Sequence, residues 1–198
     1  LKQAEFADGR DAALEAAKLL RSKGPAAYAP ALLLAADNEM QIFVDARRSE
    51  LQAKAEEPSK KTKTLARQVL GHLEHAKPGA PGDVATRSAL VYQWMSQPAD
   101  AITALEAGIA AEPGHTGVHD AFIELYRSEG RAAQCASVYR RMVRTTPKEP
   151  MLLWHAGRAE AAAGDESRAA SQFDIADQHY AKAAESFGAY RAMRPDHA

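Results

Sequence analysis

A thiol becomes a nucleophile as its thiolate, next to a base or a helix N-terminus. Cys135 is the single cysteine of the 198 residues, which rules out an intramolecular disulfide framework. It stands in a column of small residues shared with Ala101 and Ala169, so we read it as a small packing residue rather than a nucleophile. His72 and His75 are one helical turn apart, and His115 and His119 span a loop running into a helix. Each pair supplies two imidazoles, whereas zinc takes four ligands, or three and a water. No carboxylate or thiolate cluster accompanies either pair, and surface or packing roles are expected. The chain has no phosphate-cradling glycine loop, no Gly-x-Ser-x-Gly and no His-Glu-x-x-His. No catalytic residue, metal ligand or cofactor is assigned, and an enzyme is not expected.

Charge supports the same reading. The chain carries 25 basic and 26 acidic residues for a formal net charge of -1. A nucleic-acid binder needs a basic excess to displace counterions, so no nucleic-acid partner is expected. Lys60, Lys61, Lys63 and Arg67 form one basic run, and Arg140, Arg141, Arg144 and Lys148 another. Either suits an acidic partner, and a solvated helix face is the simpler reading. No apolar run approaches the roughly 18 residues that cross a membrane, so direct insertion is not expected. No signal-peptide pattern is visible. The sequence starts at Leu1 rather than Met, and localisation is left open.

The elements that would position these side chains follow from a repeat. Ala101, Leu105, Gly108 and Pro113 are spaced four, three and five residues apart. Cys135, Tyr139, Met142 and Pro147 repeat those steps 34 residues later, and Ala169, Phe173 and Ala176 continue the series. In the preceding half of each unit Tyr92 maps onto Tyr126, Ala89 onto Ile123 and Gly157, and Ser96 onto Gly130 and Gly164. Steps of four and three keep side chains on one helical face, and the small members let helices cross closely. Pro113 and Pro147 end the second helix of a unit. Gly130 and Gly164 are expected to close the first helix in a left-handed conformation, with Asp165 capping the next.

A 34-residue helix–turn–helix period resembles the tetratricopeptide repeat family over residues 82–183. The match departs from the family where its early aromatic column holds Ala85, His119 and Leu153, and where its tyrosine column reads Tyr92, Tyr126 and Glu160. The resemblance implies an all-α fold, a right-handed α-solenoid of antiparallel helix pairs. It also implies a concave groove, lined by the first helices, that binds an extended peptide or a partner's helix. Some family members clamp a C-terminal carboxylate with Lys, Asn and Arg. The matching positions here are Thr86, Leu90, Ala121, Met151 and His155, which do not resemble that clamp.

Along the chain we expect one solenoid over 1–198, with enlarged helices at both ends and excised from a longer array. An entering helix spans 8–25, with Ala13, Ala17, Leu20 and Pro25 in the same four–three–five steps. An enlarged pair spans 28–79. Its first helix opens at Pro30 and either runs on to Glu57 or breaks at Asp37-Asn38, with Arg47 interrupting its apolar stripe. Ala66, Leu70, Leu73 and Pro78 mark its second helix. Repeats follow at 82–115, 116–149 and 150–198. In the last, Ala169, Phe173, Ala176, Tyr180, Ala183, Phe187 and Tyr190 alternate steps of four and three. No proline interrupts that run before Pro195, so one uninterrupted helix is expected from Glu166 to about Arg194.

Projecting the register assigns the groove Leu90 and Trp94 from one unit, Asp120, Glu124 and Arg127 from the next, and Trp154 and Arg158 from the third. An exposed Trp beside Arg has the composition of a binding hot spot. The other reading buries both tryptophans against neighbouring helices. Tyr180, Phe187 and Tyr190, beyond the length of an ordinary second helix, need cover and mark a second candidate interface. The next repeat, a second copy of the chain or the helix near Leu33–Leu51 would supply that cover. The expected function is a protein-interaction scaffold or adaptor with a protein or peptide partner. A structural assembly subunit, self-associating or docking through its long helices, is the alternative. A weaker one is an accessory domain of an enzyme.

Overall fold

Alanine-rich segments punctuated by Pro and Gly form helices throughout the computed structural model, which describes residues 2–194. The helices are α1 (Lys2–Leu20), continued by a 3-10 turn at Arg21–Lys23, then α2 (Pro25–Gln52), α3 (Lys60–Ala76), α4 (Pro81–Trp94) and α5 (Pro98–Ala111). They continue with α6 (Thr116–Ser128), α7 (Ala132–Thr145), α8 (Pro150–Ala169) and α9 (Phe173–Met193). Proline opens α2, α4, α5 and α8, where its missing N–H costs nothing. The fold is all-α. It forms two compact units, residues 1–112 and 113–198. Within each unit a helix packs on the next in sequence, and first helices also touch one another, as α2 does α4 and α6 does α8. That is the stacking pattern of an α-solenoid.

In the first unit α1 begins six residues earlier than the sequence pattern suggests. Helix α2 starts at Pro25 rather than Pro30, passes through Asp37-Asn38 without a break and stops at Gln52. Its 28 residues make it about 42 Å long. Leu33, Ala36, Met40, Phe43 and Val44 of α2 pack with Ala66, Val69 and Leu73 of α3 and with Val84 and Val91 of α4. Arg47, which interrupts the stripe, is 1% exposed. Its guanidinium donates to the carbonyls of Ala55, Glu56 and Trp94 at 3.2, 2.8 and 3.2 Å, and to Glu50. It thereby serves the backbone acceptors left over beyond α2 and at the end of α4.

The second unit holds its core where the repeat columns place it. Cys135 and Tyr139 of α7 are buried, together with Val118, Phe122 and Tyr126 of α6 and Leu152 and Ala156 of α8. The third pair departs from expectation. No single helix runs from Glu166 to Arg194: the chain turns at Ala170–Gln172, with Ser171 at φ 60°. Gly164 and Asp165 lie inside α8 rather than at its end, and Ala169 and Phe173 are exposed rather than packed. The residue that continues the Ala101–Cys135 column is Ala176, the fourth of its helix like the other two.

Four first helices close the same way. After α2, α4, α6 and α8, a left-handed residue (Lys54, Ser96, Gly130, Ser171) is followed by an amide that reaches back five residues. The bonds are Ala55 to Glu50, Gln97 to Tyr92, Arg131 to Tyr126 and Gln172 to Ser167, each 2.9 Å. This is a Schellman closure. Ser96 to Gly130 is one ordinary period, whereas Gly130 to Ser171 is seven residues more. Accordingly α8 has 20 residues against 13 in α6, and α9 has 21 against 14 in α7. Both members of the last pair are lengthened by two turns.

Candidate interaction surface of the second unit

Asp120, Glu124 and Arg127 lie at steps of four and three on α6, which puts them on one face, and all three are exposed. Glu124 pairs with Arg127 at 3.6 Å within the helix. On α8, Arg158 reaches across to Asp120 and forms an ion pair between the two first helices. Trp154, one turn before Arg158, is 39% exposed. Its ring lies 5.0 Å from Phe187 and 5.4 Å from Tyr190 of α9.

The antiparallel register of α8 and α9 explains those contacts. Trp154 faces Tyr190, Gly157 faces Phe187 and Gly164 faces Tyr180. A Cβ on Gly157 would come within 2.6 Å of the Phe187 ring, and one on Gly164 within 2.6 Å of the Tyr180 ring. The two glycines, seven apart, seat two aromatic rings that are also seven apart. Tyr180 further donates to Asp165 at 2.8 Å. Tyr180, Phe187 and Tyr190 are each half-buried. Much of their cover comes from α8 itself, a source the sequence pattern does not suggest.

Beneath this surface lies a polar interior. His119 and His155 stack with centroids 3.8 Å apart at 5°, and neither is exposed. His119 donates from Nε2 to the Pro113 carbonyl at 2.8 Å, and its Nδ1 accepts from the Tyr139 hydroxyl at 2.8 Å. His155 Nδ1 accepts from Arg158 at 3.3 Å, while its buried Nε2 has no partner among the described residues. Burial lowers both histidines, His155 to about 3, with the neighbouring His119 and Arg158 acting in the same direction on His155. Both are therefore neutral at pH 7. Deeper along α8, Glu160 is 1% exposed and accepts from Arg140 of α7 and from His179 of α9, the latter at 2.7 Å.

Glu160 occupies the column that holds Tyr126 one period earlier, and a charge in a buried column requires partners. That much is legible in the sequence, but not which residues answer it. Arg140 therefore belongs in part to the interior and not only to a basic surface run. Cys135 is 1% exposed and burial pushes its thiol up to about 12, so it is no thiolate nucleophile. His115 caps α6, accepting from the Val118 amide at 3.2 Å. Among the described residues no three His, Cys, Asp or Glu side chains gather as a metal site, and no helix is long and apolar enough to cross a membrane.

Leu90 and Trp94 belong to the first unit. Leu90 is 42% exposed. Trp94 is partly buried against the core of that unit, its carbonyl taken by Arg47. Of the seven residues assigned to the groove, the second unit holds the five on α6 and α8. Through Trp154 it joins them to the aromatic residues of α9. Phe187 and Tyr190 of the second candidate interface thus adjoin the groove residue Trp154, while Tyr180 lies further along α8, at Gly164 and Asp165.

No protein-family model matches the chain, and no curated protein matches it. Among solved structures it is similar to the crystal structure of MamA protein, at 14% identity and a TM-score of 0.40, over 95% of this chain and 96% of that one.

Proposed function

We propose that the chain is a tetratricopeptide-type scaffold or adaptor whose second unit binds a partner polypeptide. Trp154 carries the proposal. It presents 39% of its surface to solvent while Phe187 and Tyr190 hold its other side. A rigid aromatic ring with polar neighbours gives contact area at little cost in side-chain entropy, which is the make-up of a hot spot. Arg158, Asp120, Glu124 and Arg127 form the polar rim and select a partner with matching charges. The buried Cys135 thiol supports a binding role over a catalytic one.

The test compares wild type with Trp154→Ala, after circular dichroism has shown equal helicity and equal thermal midpoints. Affinity capture and quantitative mass spectrometry should find a polypeptide held by wild type and lost with Trp154→Ala. If every captured polypeptide is retained equally by the variant, the proposal fails. The second reading is a structural assembly subunit. It is favoured by Phe173 and Ile175 on α9, which are 61% and 45% exposed beyond the aromatic surface already described. Its test is the mass of the chain in solution.

A further inference from the structure

In the first unit, α1, α2 and α3 line a half-open cavity of about 320 Å³. Small-molecule sites start at about this size. Leu14 and Ala17 of α1 and Tyr28 and Leu32 of α2 supply apolar walls. The edge is different. Lys18 and Arg21 come from the end of α1 and its 3-10 turn, and His72 and His75 from one face of α3. Among the described residues, no acidic side chain lines the cavity.

The donors at this edge are largely unspent. Among the described residues, the side chains of Arg21, Tyr28, His72 and His75 make no hydrogen bond or ion pair. Lys18 pairs only with the exposed Glu15, at 3.1 Å. An adjoining cleft shares Leu14, His72 and His75 and contains Asp11 and Glu39. Both of those carboxylates are held by Arg10 at 2.8 Å, and Glu39 is 1% exposed. The two carboxylates of the adjoining cleft are therefore committed to Arg10, and of the donors at the cavity edge only Lys18 has an acidic partner, the exposed Glu15.

We infer that this cavity is a binding site for a small amphiphilic carboxylate: an aliphatic or aryl-aliphatic body with one anionic end. The body fills the space between Leu14, Ala17 and Leu32. The carboxylate accepts from Arg21, with Lys18 and the imidazoles close by. Charge-assisted bonds from a guanidinium to a carboxylate are the strong ones. The cationic edge repels an ammonium head, and a neutral head gains no ion pair. This site shares no residue with the surface around Trp154, so the two proposals stand or fall separately.

The test uses the full chain and octanoate as probe, with isothermal titration for affinity and amide chemical shifts for location. Saturable one-to-one binding is expected at millimolar octanoate, with shifts centred on the cavity-lining residues of α1, α2 and α3. Octylamine and octan-1-ol should bind at least about tenfold more weakly, as should octanoate to Arg21→Gln, the equivalent of one charge-assisted bond. Arg21 is exposed, so the variant keeps its fold. Tyr28→Phe gives a second, milder loss, and Trp154→Ala leaves binding unchanged. The inference is overturned if wild type shows no saturation, if octylamine binds as well as octanoate, if the shifts map elsewhere, or if Arg21→Gln binds like wild type.

Discussion

His155 shows what burial does to a titratable group. Its buried ring stacks on His119, with Tyr139 6.4 Å away and the Arg158 guanidinium at its Nδ1, and its pKa falls to about 3. An unfolded chain protonates this histidine near pH 6.5 while the folded one does not. Between those values the unfolded state binds more protons, so stability falls as pH falls, by up to about 1.4 kcal/mol per pH unit for each excess proton. The contribution is complete above pH 6.5. His119, also lowered, adds to the same slope. Urea midpoints measured from pH 7.5 to 4.5 should fall, and His155→Phe should flatten the profile. An unchanged slope in that variant would show that other groups carry the acid sensitivity. In the sequence His119 was visible as an odd member of an aromatic column, but its pairing with His155 was not. Arg47 is harder still to read. Its partners are backbone carbonyls at Ala55, Glu56 and Trp94, and no side chain encodes a free carbonyl.

At the scale of elements, the heptad is the source of both the success and the error. Steps of four and three mark the buried faces of α5 and α7, where Ala101, Leu105, Cys135 and Tyr139 are all buried. The same steps are unchanged when a pattern slides by seven residues. From Ala169 to Tyr190 they cannot say where one helix ends and the next begins. The closing residue could have decided it. Ser171 occupies the place of Ser96, but a serine in a left-handed turn carries no sequence signal comparable to glycine. The two placements differ in what they predict for mutation. Ala101 and Ala176 are 0% and 2% exposed, so Ala101→Leu and Ala176→Leu should each cost about 1–3 kcal/mol by overpacking. Ala169→Leu, on an exposed site, should change stability by less than about 0.5 kcal/mol. Chemical denaturation of the three variants checks this, and a large loss at Ala169 would contradict the turn at Ala170–Gln172.

At the scale of the molecule, charge balance and helix-pair stacking were legible from composition and period. The division into two units was not. A repeat count treats every unit alike and offers no place to divide them. The surface of the second unit can be pieced together only when the folded α8 and α9 are in hand, because Trp154 and Tyr190 are 36 residues apart in sequence. If Phe173, Ile175 and the α9 aromatics mediate self-association, sedimentation equilibrium should give a mass above the 21.4 kDa of one chain, rising with concentration. Phe187→Ala should then shift the equilibrium toward monomer. A mass of 21.4 kDa at every concentration removes self-association and leaves the scaffold reading intact.

The paired lengthening of α8 and α9 bears on how such a chain can change in length. Removing seven residues from one helix alone would strand the facing turn of the other, leaving Tyr180 or Phe187 without the glycine it rests on. Removing seven from each, on facing turns, would bring 20 and 21 residues back to the 13 and 14 of the preceding pair and keep every remaining contact in phase. A seven-residue change in one of these helices is therefore expected to destabilise the pair unless a matching change is made on the facing turn of the other.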